Sequence, residues 1–190
     1  MSGAEEADRR HSIADTASVL TDPVLKAQRE ARNGLLQFDL GLRMIDDGIE
    51  KAESFRFRPS MVLALHRAAL EGISEHAGQW RPAGVKISGS MHEPIGAHRV
   101  PEAVEEMCDY LNDRRADRSP VHLASYAMWR LNWIHPFSDG NGRTSRIFSY
   151  CVLCVASRLR FPGANTIPEQ IVANRTPYFD ALEAADQAEK

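Results

Sequence analysis

Three cysteines in 190 residues are too few for a disulfide framework. Cys151 and Cys154 have the C-x-x-C spacing of some redox and zinc sites, but no second ligand pair stands near them. The apolar run around them, Ile147 to Val155, marks them as buried small hydrophobes. The chain also lacks an apolar run long enough to span a bilayer, so a membrane-embedded helix is not expected. It has no charged-then-apolar leader, and a cytoplasmic location is expected. Neither charge sign dominates: 23 Lys and Arg against 26 Asp and Glu leave a net charge of −3, so no attraction to nucleic acid is indicated. What remains, 43% hydrophobic and 26% charged residues, suits one domain with one substantial core.

Helical periodicity dominates the chain. Residues 1–20 are small and polar, with Glu5, Glu6, Arg9 and Arg10, and predict a flexible arm ahead of a single domain over 21–190. Leu35, Phe38, Leu42, Ile45 and Ile49 recur at steps of three and four, the pattern of a long amphipathic helix, and Val62, Leu65, Ala69 and Ile73 predict a second. Pro101 followed by Glu102, Glu105 and Glu106 opens a third, with its stripe at Val104, Met107, Cys108 and Leu111. Ser119-Pro120 starts a fourth that runs through Tyr126, Trp129 and Trp133 to His135. The stretch after Gly142 is apolar nearly all round and predicts the buried centre of the domain, while Thr176-Pro177 starts a last helix with Phe179 and Leu182 inward. Residues 84–96 break the pattern: Val85 and Ile87 alternate with Lys86 and Ser88, a strand period, and Gly89, Pro94 and Gly96 punctuate the remainder of the segment.

The chemistry concentrates in residues 135–146, His-Pro-Phe-Ser-Asp-Gly-Asn-Gly-Arg-Thr-Ser-Arg. His135 has the one side-chain pKa that ordinarily lies near neutrality, as a base taking a proton from a hydroxyl requires. Asp139 offers the hard oxygen that Mg²⁺ prefers when phosphates supply other contacts. Gly140 and Gly142 clear side chains from a turn, so backbone N–H groups can form an anion nest, and Asn141 adds an amide donor. The turn opens onto a helix N-terminus, whose dipole favours negative charge. Arg143 and Arg146, three apart, bring two planar cations to the same end. Two arginines in a first turn oppose the helix dipole unless an anion compensates them, the kind of local conflict a functional site leaves. Taken singly, each part has an ordinary reading as a surface turn or a structural histidine.

The run resembles the Fic family signature H-P-F-x-D/E-G-N-G-R-x-x-R and matches it at every specified position. Family features extend from about Leu35 to Leu182 and include Gly78-Gln79-Trp80-Arg81 before the extended segment. The resemblance implies an all-α Fic-type helical bundle with a short β-hairpin flap at about 84–96. It implies transfer of AMP from ATP to a Ser, Thr or Tyr hydroxyl of a target protein, with pyrophosphate leaving. His135 would be the base, Phe137 the loop's anchor in the core and Asp139 the Mg²⁺ ligand. Gly140, Asn141, Gly142, Arg143 and Arg146 would bind the nucleotide. Lys86, Ile87, Ser88 and Gly89 would form the flap that pairs with the target backbone, a form of strand addition. A relative that phosphorylates its target has a lysine where Gly142 stands, and this chain departs from it there.

Many Fic proteins are restrained by a helix bearing S/T-x-x-x-E-G/N, whose Glu pairs with the second motif arginine. No segment here matches; the nearest, Gln28-Arg29-Glu30-Ala31-Arg32-Asn33, has Gln28 for the Ser/Thr and Arg32 for the Glu. Three arrangements stay open: no restraint, restraint through Glu30, or a separate inhibitory partner. Two other functional classes also stay open, a transferase using another nucleotide or diphosphate donor and a non-enzymatic binding module of a toxin–antitoxin pair. The intact His135 and Asp139 weigh against the second, because binding alone needs no base.

Overall fold

The computed structural model describes residues 12–13, 18–88, 90–162, 170–171 and 173–188. Its main elements are helices α1 (Pro23–Lys51), α2 (Pro59–Leu70), α3 (Val100–Asp113), α4 (Pro120–Ile134), α5 (Asn141–Ser157) and α6 (Arg175–Ala188), with two-residue strands β1 (Ser12–Ile13) and β2 (Lys86–Ile87). The fold is all-α, as the periodicity predicts, and no helix among the described residues is long and apolar enough to cross a membrane.

Proline punctuation sets the helix starts. Pro23, Pro59, Pro101 and Pro120 all lie in first turns, where a missing N–H costs nothing. Asp22 caps α1 by accepting from the N–H groups of Val24 and Leu25, both at 2.9 Å, and Ser119 caps α4 by accepting from that of His122 at 3.2 Å.

Helix α5 is the central element: it packs on α4, α1 and α2, and Ile147, Phe148 and every residue from Tyr150 to Val155 are buried. The stripes expected on α2 and α3 are buried as well, although α2 ends at Leu70 and Ile73 lies in the turn after it. All three cysteines are free and buried in this core. Leu182 of α6 is buried, whereas Phe179 is only half-buried.

Helix α1 forms as expected, but Leu35 of its expected stripe is not on the buried side. Its buried seam is Asn33, Gln37, Gly41, Ile45 and Gly48, while Leu35 is 71% exposed. The reason is close approach: a Cβ at Gly48 would lie 2.5 Å from Val155 Cγ2 on α5. Asn33 Nδ2 donates to the carbonyls of Ala69 (3.1 Å) and Glu71 (2.9 Å), and Gln37 Nε2 to that of Leu65 (3.1 Å). Ile45 of the expected stripe is fully buried and Phe38, Leu42 and Ile49 pack against the core, while the two amides of the seam satisfy carbonyls of α2 and its C-terminal end.

The flap differs from expectation too. No hairpin forms within residues 84–96 among the described residues; β2 pairs antiparallel with β1 instead, Ser12 opposite Ile87 and Ile13 opposite Lys86. The segment beyond β2 is drawn down onto the end of α4, where His92 Nε2–H donates to the carbonyl of Trp133 at 2.7 Å and the Arg81 guanidinium to that of Ile95. Pro94 adds a position without an N–H, so this segment does not return as a second strand. The expected flap residue Gly89 lies outside the described residues, as do residues 1–11 and 14–17 of the expected arm. The arm is attached a second time where the N–H of Val19 donates to the carbonyl of Ile73 at 3.0 Å.

Candidate active site

The loop between α4 and α5 brings the motif residues together. His135 is the residue that ends α4, and it does so in the left-handed conformation (φ 52°, ψ 60°), which few non-glycine residues adopt. Arg81 holds it there. Its buried guanidinium donates from Nε to the His135 carbonyl at 2.8 Å and from Nη1 to that of Ala83 at 2.9 Å, and its own N–H donates to the Pro136 carbonyl at 2.9 Å. Helix-end carbonyls are thus satisfied by a cation whose pKa burial pulls below the usual arginine value. Trp80, the preceding residue, stacks on Phe137 with ring centroids 5.3 Å apart. The Gly-Gln-Trp-Arg run therefore supports the loop from beneath.

Phe137 is fully buried and anchors the loop. Its N–H donates to Asn141 Oδ1 at 3.0 Å, and Asn141 Nδ2 donates to its carbonyl at 2.8 Å. The Asn141 side chain, expected among the phosphate donors, closes the loop on itself. Gly140 has φ 75°, and a Cβ there would lie 2.6 Å from Leu70 Cδ2, so conformation and space both require glycine. As the cap of α5 it offers the first-turn N–H groups no side-chain acceptor.

The imidazole of His135 is buried, with Nδ1 3.3 Å from the carbonyl oxygen of Asn132. A carbonyl only accepts, so this contact directs a proton to Nδ1. Asn132 Nδ2 itself donates to Met128 O at 2.7 Å and Ser145 Oγ at 3.0 Å and lies 3.3 Å from Tyr178 Oη, which joins α4, α5 and α6.

The charged groups divide into two sets. Asp139 accepts from the Gly140 N–H at 2.6 Å through Oδ1 and from Arg143 Nη2 at 3.1 Å through Oδ2, while Arg143 Nη1 also meets Glu30 Oε1 of α1 at 3.2 Å. Arg146 is half-buried, and desolvation lowers its pKa, with the Arg143 and Arg175 charges pushing the same way against Tyr178. This accumulation of cations at a helix N-terminus is unfavourable by itself and is suited to a polyanion. Arg32 is exposed.

Among the described residues no group of three or more His, Cys, Asp or Glu side chains converges on a metal position. A Mg²⁺ held by one carboxylate and substrate phosphates needs no such cage, and the part-exposed Asp139 carboxylate suits that mode. The apolar hollow of about 500 Å³ between α4, α5 and α6, lined by Trp129, Leu153 and Leu182 among others, holds none of the motif residues.

With this geometry in place, the comparisons decide the family. Residues 56–153, just over half of the chain, match the Fic/DOC family. The chain belongs to that family. It is 27% identical over 179 residues to the protein adenylyltransferase fic-1 of Caenorhabditis briggsae, an alignment covering 92% of this chain and 34% of the relative. Against the protein adenylyltransferase Fic of Aedes aegypti the identity is 29% over 182 residues, 94% of this chain and 34% of the relative. The chain thus spans about a third of the length of these curated relatives. Fic-1 from Caenorhabditis elegans shares the fold with a TM-score of 0.64 at 23% identity, over 88% of this chain and 47% of that one. A Fic family protein from Desulfovibrio desulfuricans G20 gives 0.56 at 18% identity, over 87% and 59%.

Sequence reasoning missed four residues of this Fic site: His66, the positions taken by Arg81 and Asn132, and Arg175. A signal existed for His66, which falls on the apolar face of α2 between Val62 and Ala69, where a polar side chain needs a partner. None existed for Asn132, whose contribution to His135 is a backbone carbonyl.

Proposed function

We propose that this Fic protein transfers AMP from ATP to a Ser, Thr or Tyr hydroxyl of a target protein. The observation that carries the reading is the meeting, at the α4–α5 junction, of a buried imidazole, its Nδ1 facing a backbone carbonyl, with Arg143 and Arg146 in the first two turns of α5. His135 Nε2 takes the hydroxyl proton as that oxygen bonds to the α-phosphorus. The bond from the α-phosphorus to its bridging oxygen breaks, and pyrophosphate leaves. The first-turn N–H groups of α5 from Asn141 onward, with Arg143 and Arg146, bind the phosphates. Mg²⁺, held by Asp139, would neutralise part of the phosphate charge. The relatives' names as protein adenylyltransferases support the choice of reaction. Incubation with a panel of labelled nucleotides and cell lysate, followed by mass spectrometry of labelled proteins, tests it. AMP on a hydroxyl side chain is the expected result; label from another nucleotide donor would replace ATP in the scheme.

Restraint runs through Glu30 in this reading. The register of α1 is pinned by Asn33 and Gln37, which puts Glu30 on Arg143 and leaves Arg32 exposed. Both side chains of the Glu30–Arg143 pair are about a third exposed, at 38% and 31%, so the pair contributes at most about 1 kcal/mol. Glu30→Gly is expected to raise labelling by no more than about fivefold, and Arg32→Glu to leave it unchanged. A stronger brake requires a separate inhibitory partner.

The β1–β2 pairing sets a second expectation. An extended target segment adding to β2 on the edge that β1 occupies would compete with β1. Removal of residues 1–20 is expected to increase labelling of an added target without changing ATP binding, measured by calorimetry.

A further inference from the structure

The ring of His66 lies parallel to that of Phe137, with centroids 3.6 Å apart and an interplanar angle of 1°. Only 2% of the residue is exposed. Nδ1 is 2.9 Å from the N–H of Gly78, and Nε2 is 3.0 Å from the carbonyl oxygen of Asp139. These two partners leave no choice of tautomer: a backbone N–H only donates, so Nδ1 is bare, and a carbonyl only accepts, so Nε2 carries the proton. Burial favours this neutral form and lowers the pKa to about 4, against smaller raising effects of Asp139 and with a lowering one from Arg143.

The Asp139 carbonyl and the Gly140 N–H belong to one planar peptide, so fixing one direction fixes the other. That N–H is the donor to Asp139 Oδ1 at 2.6 Å. Through a single rigid unit, His66 therefore sets the Asp139 carboxylate and the left-handed turn at Gly140 that opens α5. At its other nitrogen it ties the same peptide to Gly78, three residues before Arg81, whose guanidinium holds the His135 carbonyl.

We infer that His66 is a positioning residue of the candidate active site, acting through its Nε2–H on the Asp139–Gly140 peptide to aim the carboxylate expected to hold Mg²⁺. The inference rests on the AMP-transfer reading for its functional meaning, while its geometry stands apart from that reading.

Two substitutions divide the two nitrogens. His66→Gln retains an N–H near the place of Nε2 and loses the acceptor; His66→Asn retains an acceptor near Nδ1 and loses the donor. Affinity for Mn²⁺ in the presence of a non-hydrolysable ATP analogue is read by electron paramagnetic resonance, beside kcat, KM for ATP and melting temperature. His66→Asn is expected to weaken Mn²⁺ about 10- to 100-fold and to lower kcat, with metal-free ATP binding reduced by less than Mn²⁺ binding. His66→Gln is expected to retain most of both. Equal losses in the two variants at equal melting temperature would overturn the inference. Should a variant not fold, the imidazole ¹⁵N shifts of the parent decide: Nε2–H at neutral pH supports it, and Nδ1–H or the cation sinks it. Failure of the parent to transfer AMP would count against the proposed function alone, because the metal and tautomer measurements need no turnover.

Discussion

His135→Ala is expected to abolish nearly all AMP transfer while leaving the fold and ATP binding intact. In the proposed reaction the imidazole acts on the hydroxyl and not on the nucleotide, and losing a positioned base costs about 10²- to 10⁴-fold in rate. The backbone at this position is held by Arg81 through the His135 carbonyl, which alanine keeps. Alanine also tolerates the left-handed conformation no worse than histidine by much, so melting temperature changes little. Target labelling with calorimetry on the same samples checks both halves. A variant that labels at the parent rate would remove His135 from the mechanism.

Arg146→Ala is expected to weaken ATP far more than AMP. A charge-assisted contact to the outer phosphates contributes roughly 1.5–3 kcal/mol, or about 10- to 150-fold in affinity, and AMP lacks those phosphates. The same substitution should leave the melting temperature unchanged or raise it. The guanidinium is half-buried beside Arg143 and Arg175, and its lowered pKa states that the protein pays for keeping it charged. Equal losses of ATP and AMP affinity would place the arginine elsewhere on the nucleotide.

These expectations rest on a site that was legible in the sequence to an unusual degree, because its parts are contiguous. Twelve residues carry the proposed base, the carboxylate, the turn and both arginines, and the turn onto the apolar α5 is dictated by Gly140 and the hydrophobic run after Gly142. The supports were less legible, since they act through backbone groups: Arg81 on the His135 carbonyl, the Asn132 carbonyl on His135 Nδ1, and His66 on the Asp139 carbonyl, for which the apolar face of α2 signalled a partner without naming it. On α1 hydropathy marked Phe38, Leu42, Ile45 and Ile49 correctly but misled at Leu35, and it did not show that the helix approaches α5 too closely for large side chains at Gly41 and Gly48. The strand period at 85–88 was real, yet no local pattern says that its partner is Ser12–Ile13 rather than the residues just after it.

The central claim is that the loop moves the α-phosphate of ATP onto protein. Parallel reactions with ATP labelled at the α-phosphorus and at the γ-phosphorus, each with target lysate and with the His135→Ala variant as control, measure that directly. The account predicts α-label on protein hydroxyls, γ-label only in released pyrophosphate, and neither on protein in the variant. Gamma-label on protein, or α-label undiminished in the variant, would contradict it.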